Sequence, residues 1–337
     1  MPLRTIRAIC GLACVLIVTA HSRGEAPSSQ SSSAKNAQGI VADSTKSAVR
    51  HGNWLIEETE NFSICRPVNY RYDPDTGAAL EKARAELQEA WLPGSTAKAW
   101  KPKCQIVLHA TSAAYLQAVG RGAAATTGSA LVDFEKDRIT TRKIDIRGDR
   151  ADWFDAALTH ELTHVVLADR FIAVAIPHWA DEGMAMLADT PAKRERHAVD
   201  LHAALGSGAH FPLAEILTLG GYPQPQRMGA FYGQSASLVN YLTTIGTREQ
   251  LVAMVELATS RGYDVALREI YKIESVRHLE RDWRKHVADS KIAAAKKAAT
   301  KNVADQKTVT ADTTVAKAAT EAKVIPVAEV VGAAAME

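Results

Sequence analysis

Aromatic residues are scarce, 6% of a 337-residue chain, and their distribution matters more than their number. None lies between residues 27 and 50 and none from Ala288 onward. Segments of Ser, Ala, Gln, Lys and Thr without aromatics cannot bury enough apolar surface to order themselves, so a linker is expected over 27–52 and a disordered tail over 288–337. A charge excess of one sign is also missing: 40 Lys and Arg face 38 Asp and Glu, for a net +2. That balance excludes the basic footprint of a nucleic-acid binder. No repeat of fixed period is visible, which removes solenoids and propellers.

No apolar run reaches the ~20 residues that a membrane-spanning helix needs. The longest, Ala8–Ala20, follows Arg4 and Arg7 and ends in Val18-Thr19-Ala20, the layout of a secretory signal with a small-residue cleavage site. Residues 1–26 are therefore expected to be a signal peptide, the mature protein periplasmic or extracellular, with no stable membrane span after cleavage. Cysteine is scarce as well. Of the four, Cys10 and Cys14 leave with the signal, and Cys65 and Cys104 remain in a compartment that permits a disulfide between them.

What is present is a core expected over 53–287. Asn61–Cys65 and Cys104–His109 read as strands around a helix, Ala79–Trp91, that Pro93-Gly94 stops. Gly128–Phe134 and Arg138–Ile146 read as two more strands joined by Glu135-Lys136-Asp137. After Asp152 the spacing turns helical, with Phe154, Leu158, Leu162, Val165 and Val166 recurring at three and four residues. Helices are expected again over Trp179–Ala188, Leu213–Leu219, Gly229–Ile245, Arg248–Ala258 and Leu279–Val287. Strands first and helices afterwards is an α+β order.

His160-Glu161-Leu162-Thr163-His164 falls inside the first of those helices. Four residues apart, the two imidazoles share a face and can bind one ion. Glu161 points elsewhere around the helix, where a general base for a metal-bound water belongs. A catalytic Zn2+ site takes a third protein ligand. Leu167 and Arg170 stand where one alternative spacing wants a glycine and a histidine, so a carboxylate is the natural choice. Glu182 is that candidate, in Pro177-His178-Trp179-Ala180-Asp181-Glu182-Gly183-Met184-Ala185, which Pro177 opens like a helix start. His178 and Asp181 are rival ligands. Tyr232, beside Phe231 on an apolar helix, is either core or a donor that stabilises a developing oxyanion. His197, His202 and His210 have no spacing that selects them.

His160 to His164, a spacer of seventeen residues and the Pro-x-Trp-x-x-Glu-Gly-x-Ala segment resemble the gluzincin peptidases, most closely the peptidase MA-like proteins. Pro212–Leu217, Phe231–Val239 and the region of Trp283 fit the same pattern. The resemblance implies a zincin-like fold with Arg138–Ile146 as the sheet edge lining the cleft. It implies a zinc metallopeptidase with His160, His164 and Glu182 as ligands, Glu161 as base and a peptide or protein as substrate. The family's aspartate four residues after the glutamate ligand is replaced by Met186, leaving Asp189 or Asp169 to orient a histidine. A non-catalytic zinc-binding module for peptide or cell-envelope material is the alternative, and the sequence does not select an oligomeric state.

Overall fold

The computed structural model describes residues 48–95 and 98–292 in full and residues 4–11 by backbone. The rest of the expected signal, the linker up to residue 47 and the tail beyond Ile292 lie outside the described residues. The chain divides into two units. Met1–Arg281 holds the sheet and the elements that build the site; Asp282–Glu337 is described as far as Ile292 and is helical there.

The first unit is an α+β fold around a seven-stranded mixed sheet. Its strands are β1 (Arg4–Gly11), β2 (Val49–His51), β3 (Trp54–Glu58), β4 (Phe62–Pro67), β5 (Cys104–His109), β6 (Thr126–Glu135) and β7 (Arg138–Arg147), in the spatial order β1-β6-β7-β5-β4-β3-β2. β4, β5 and β7 run parallel to their neighbours in that series, and the other pairs are antiparallel. A parallel pair needs a crossover. Helix α1 (Thr76–Trp91) supplies it between β4 and β5, and α2 (Ser112–Val119) follows β5. The β6–β7 hairpin turns on Lys136 and Asp137, with Glu135 opposite Arg138 and Lys136 at a left-handed φ of 59°. Val49–His51, inside the expected linker, forms β2.

The expectation of Arg138–Ile146 as the cleft edge is corrected. β7 lies between β5 and β6, bonded on both sides. Ile144, Asp145 and Ile146 are consecutively buried, so both faces of its second half are covered, as in an interior strand. The hairpin folds β6 back on the outer side, and the backbone of β1 runs antiparallel along it.

The disulfide is also corrected: Cys65 and Cys104 are free, buried thiols. They sit on neighbouring strands, but Phe62 is opposite Cys104 and Cys65 opposite Val107. Three residues of offset is about 10 Å along a strand, beyond the reach of an S–S bond. Burial pushes both thiols' pKa up.

The helical half begins with a π-helical turn, Phe154–Leu158, that runs into α3 (Thr159–Ala168). Leu158, Leu162, Val165 and Val166 bury against Ile64, Ile106, Val132, Ile144 and Leu80 from the sheet and α1, forming the main core. Then come α4 (His178–Met186), α5 (Pro191–Ser207), α6 (Leu213–Ile216), α7 (Met228–Ile245), α8 (Arg248–Arg261) and α9 (Tyr263–Ala266), with a last helix over 276–292. Among the described residues no helix is long and apolar enough to cross a membrane.

Candidate metal centre

Three donors converge where α3 meets α4. His160 and His164 stand one turn apart on α3, their ring centroids 5.0 Å apart. Glu182 enters from α4, its Oε2 3.6 Å from His160 Nε2. One ligand atom from each of the three lies within 4.8 Å of the others. α4 can be held there because Gly183 lets α7 close on it: a Cβ at that position would meet Val239 Cγ2 at 2.5 Å and the Ser235 carbonyl oxygen at 2.6 Å.

A second ring of carboxylates fixes both imidazoles. His164 Nδ1 donates to Asp181 Oδ1 at 2.8 Å, and His160 Nδ1 donates to Asp189 Oδ1 at 3.2 Å. With Nδ1 committed, each ring presents Nε2 to the shared point, which is how ligating histidines are oriented. Asp189 is braced in turn by His197 Nε2 at 3.3 Å and Lys193 Nζ at 3.4 Å. Burial by itself would raise the Asp189 carboxyl, but His160, His197 and Lys193 hold it far below the usual carboxylate range. For His164, burial works against the charged form, yet Asp181 lifts its pKa above the ordinary value.

Glu182 is 1% exposed. Burial opposes its ionisation, and His160, His164 and the Tyr222 hydroxyl, which donates to its Oε1, more than offset that and lower its pKa. Tyr222, half-buried and facing this carboxylate, is pushed well above the usual phenol range and stays a donor.

Glu161, the residue after His160 on α3, is fully buried, with its side chain against Gly128 of β6. Neither of its oxygens has a hydrogen-bond partner. Burial pushes its pKa up to about 7, with Glu182 adding to the rise and the two histidines opposing it. A cation at the neighbouring donors would draw it back down.

These observations fit a metal. His164 Nε2 and Glu182 Oε2 are buried without a hydrogen-bond partner, and such orphans cost about 1–3 kcal/mol each unless something satisfies them. Two imidazole nitrogens and a carboxylate oxygen are a donor set suited to zinc. A cavity of about 490 Å³ opens beside the donors, with His160, Glu182, Tyr232, His197 and Arg196 in its walls.

The structure thus brings His160, His164, Glu182, Glu161 and Tyr232 into one region. The rivals fall away. His178 stacks on Tyr222, centroids 4.6 Å apart, outside the donor cluster. Asp181 orients His164 instead of joining the donors. Of the two candidate orienting aspartates, Asp189 takes the role for His160, while Asp169 is elsewhere, bonded to Arg142 and Trp100 Nε1. Sequence reasoning missed Tyr222 and His197. Tyr222 sits in an irregular loop with no pattern to select it, but His197 is on α5, whose ends were signalled by Thr190-Pro191 and Gly208.

Two histidines and a glutamate on adjacent helices, each oriented by a further side chain, define the class: an α+β protein able to hold one metal ion at the edge of a cleft. The family model of the peptidase MA superfamily matches residues 92–289, and the chain belongs to that superfamily of peptidase-type hydrolases, which are commonly metal-dependent. No curated protein and no solved structure matches the chain.

Proposed function

We propose that the chain is an exported zinc metallopeptidase of the gluzincin type, acting on peptide or protein substrates in the periplasm or outside the cell. The observation that carries the reading is Glu161: a fully buried carboxyl with no hydrogen-bond partner, next to three converging metal donors. A non-catalytic scaffold has no need of an acid there, and an unsatisfied buried polar group is a cost that persists at sites of function.

His160, His164 and Glu182 would hold the zinc, which when bound acts as a Lewis acid on the scissile carbonyl and lowers the pKa of a water towards ~7. Glu161 takes the proton of the attacking water and returns it to the leaving amine. A carboxylate positioned beside that water can do both. Asp181 and Asp189 keep the imidazoles in register, and Tyr222 holds Glu182. Tyr232, 6% exposed in the cavity wall, is the proposed donor to the developing oxyanion. Export rests on the arginine-led apolar segment at residues 4–20, and cleavage after it would remove β1 and leave β6 at the sheet edge.

The test is metal analysis of the purified protein beside cleavage of a peptide library, with and without a chelator. The reading predicts about one zinc per chain and cleavage that the chelator abolishes and added zinc restores. Cleavage indifferent to metal removal would overturn it.

A further inference from the structure

A second cavity, of about 780 Å³, lies at the other end of α3. It shares no lining residue with the cavity at the metal centre, and Asp169 in its wall is nine residues along the chain from His160, ~14 Å at the rise of an α-helix. Its size is in the range of small-molecule sites.

The wall contains a buried charge with no ion pair among the described residues. Arg84, on α1, is 5% exposed; its guanidinium lies over the Trp100 ring at 4.5 Å and gives one hydrogen bond, from Nη2 to the Lys98 carbonyl oxygen at 2.9 Å. It has no carboxylate partner among the described residues, and its Nε is buried without a hydrogen bond. Buried charges are ordinarily paired, because desolvating an unpaired ion costs several kcal/mol. Burial accordingly pulls the Arg84 pKa below its ordinary value.

Asp169, Glu81 and Glu60 favour its charge through space without pairing with it. Asp169 is held between Arg142 and Trp100 Nε1, and Arg170 has its own partner in Glu256. That leaves Arg84 with the exposed Lys98 and Lys101 facing the cavity against the single exposed Glu249. The same wall offers apolar surface from Trp91, Leu92 and Val252.

We propose that this cavity binds a small organic oxyanion, a carboxylate or phosphate ester on an apolar body, with Arg84, Lys98 and Lys101 taking the charge and Trp91, Leu92 and Val252 the body. A guanidinium offers paired donors to either oxyanion. The site is separate from the metal centre and does not depend on the reading of that centre.

Isothermal titration calorimetry of the full chain tests it, with benzoate and phenyl phosphate as probes and phenol and inorganic phosphate as controls. Saturable binding of one or both probes, at least tenfold tighter than either control, is expected. The tighter probe identifies the source as a carboxylate or a phosphate. Lys98→Glu with Lys101→Glu, both at the surface and safe for folding, should weaken the tighter probe at least tenfold. Arg84→Gln should weaken it further if the variant folds, and the lysine pair decides the matter if it does not. Binding of neither probe, equal binding of phenol or of inorganic phosphate, or binding unchanged in the lysine pair would overturn the proposal.

Discussion

Gly128→Ala is a one-methyl perturbation aimed at Glu161 from outside its own helix. A Cβ on Gly128 would stand 2.8 Å from Glu161 Cγ, 2.9 Å from its Oε1 and 3.1 Å from Ile146 Cδ1. Carbon atoms rest at about 3.5–4.0 Å, so the glutamate must withdraw by roughly 0.7–1 Å. It has no hydrogen bond to resist, and α3 is packed too tightly to move as a whole. A displacement of about 1 Å in a group that transfers a proton costs on the order of 100-fold, so kcat should fall between about 10- and 100-fold. Overpacking should also cost about 1–3 kcal/mol of stability, leaving a folded protein with a lower Tm. Gly206→Ala is the control, since nothing lies within 4 Å of the added methyl in α5. The assay is single-turnover cleavage of a quenched-fluorescent peptide, with zinc content and Tm measured on the same preparations. A folded, zinc-replete Gly128→Ala protein cleaving at the parental rate would refute the placement of Glu161 against β6 as the working geometry.

Asp181→Asn and Asp189→Asn should each weaken zinc binding about 10–100-fold while leaving the ligands in place, read by competition with a chromophoric chelator; unchanged affinity in both would remove them as orienting groups. Asp145 is buried on β7, with His109 Nε2 at 2.8 Å and Lys143 Nζ at 2.9 Å. Burial alone would raise its pKa, but those two partners bring it below the ordinary value. A depressed folded pKa contributes stability that is full above the unfolded value of about 4 and is lost as pH falls from there through the folded value, so the deficit of Asp145→Asn against the parent should be full at pH 7 and shrink below about pH 4 in urea titrations. A deficit independent of pH would contradict the ion pair.

The α+β order, the β6–β7 hairpin and the metal helix were legible because each has a periodicity or a turn that is local in sequence. The donor triad was legible for a related reason: His160 and His164 are set by one turn of helix, and Glu182 by a short link to the next. Sheet order was not. That β6 lies beyond β7, between it and β1, depends on which way the hairpin folds, a tertiary choice visible only afterwards in the pairing and in the consecutive burial of Ile144, Asp145 and Ile146. The cysteine pairing failed for the same reason, since register decides it. α5 was missed because only Leu201 and Ala204 of its residues are buried, too few to mark a period, though its caps were readable. Asp181, a rival ligand on sequence, is turned ~100° from Glu182 by its position one residue earlier, and that turn carries it to His164 Nδ1 instead of the donor cluster.

The central claim, that Glu161 moves the proton while His160, His164 and Glu182 hold the metal, separates cleanly in one variant. Glu161→Gln keeps size and hydrogen-bonding reach and removes only basicity. Zinc content and peptide cleavage measured on one preparation should show a full complement of metal and a rate at least ~100-fold below the parent. A zinc-replete Glu161→Gln protein cleaving the same peptides at the parental rate would contradict the account.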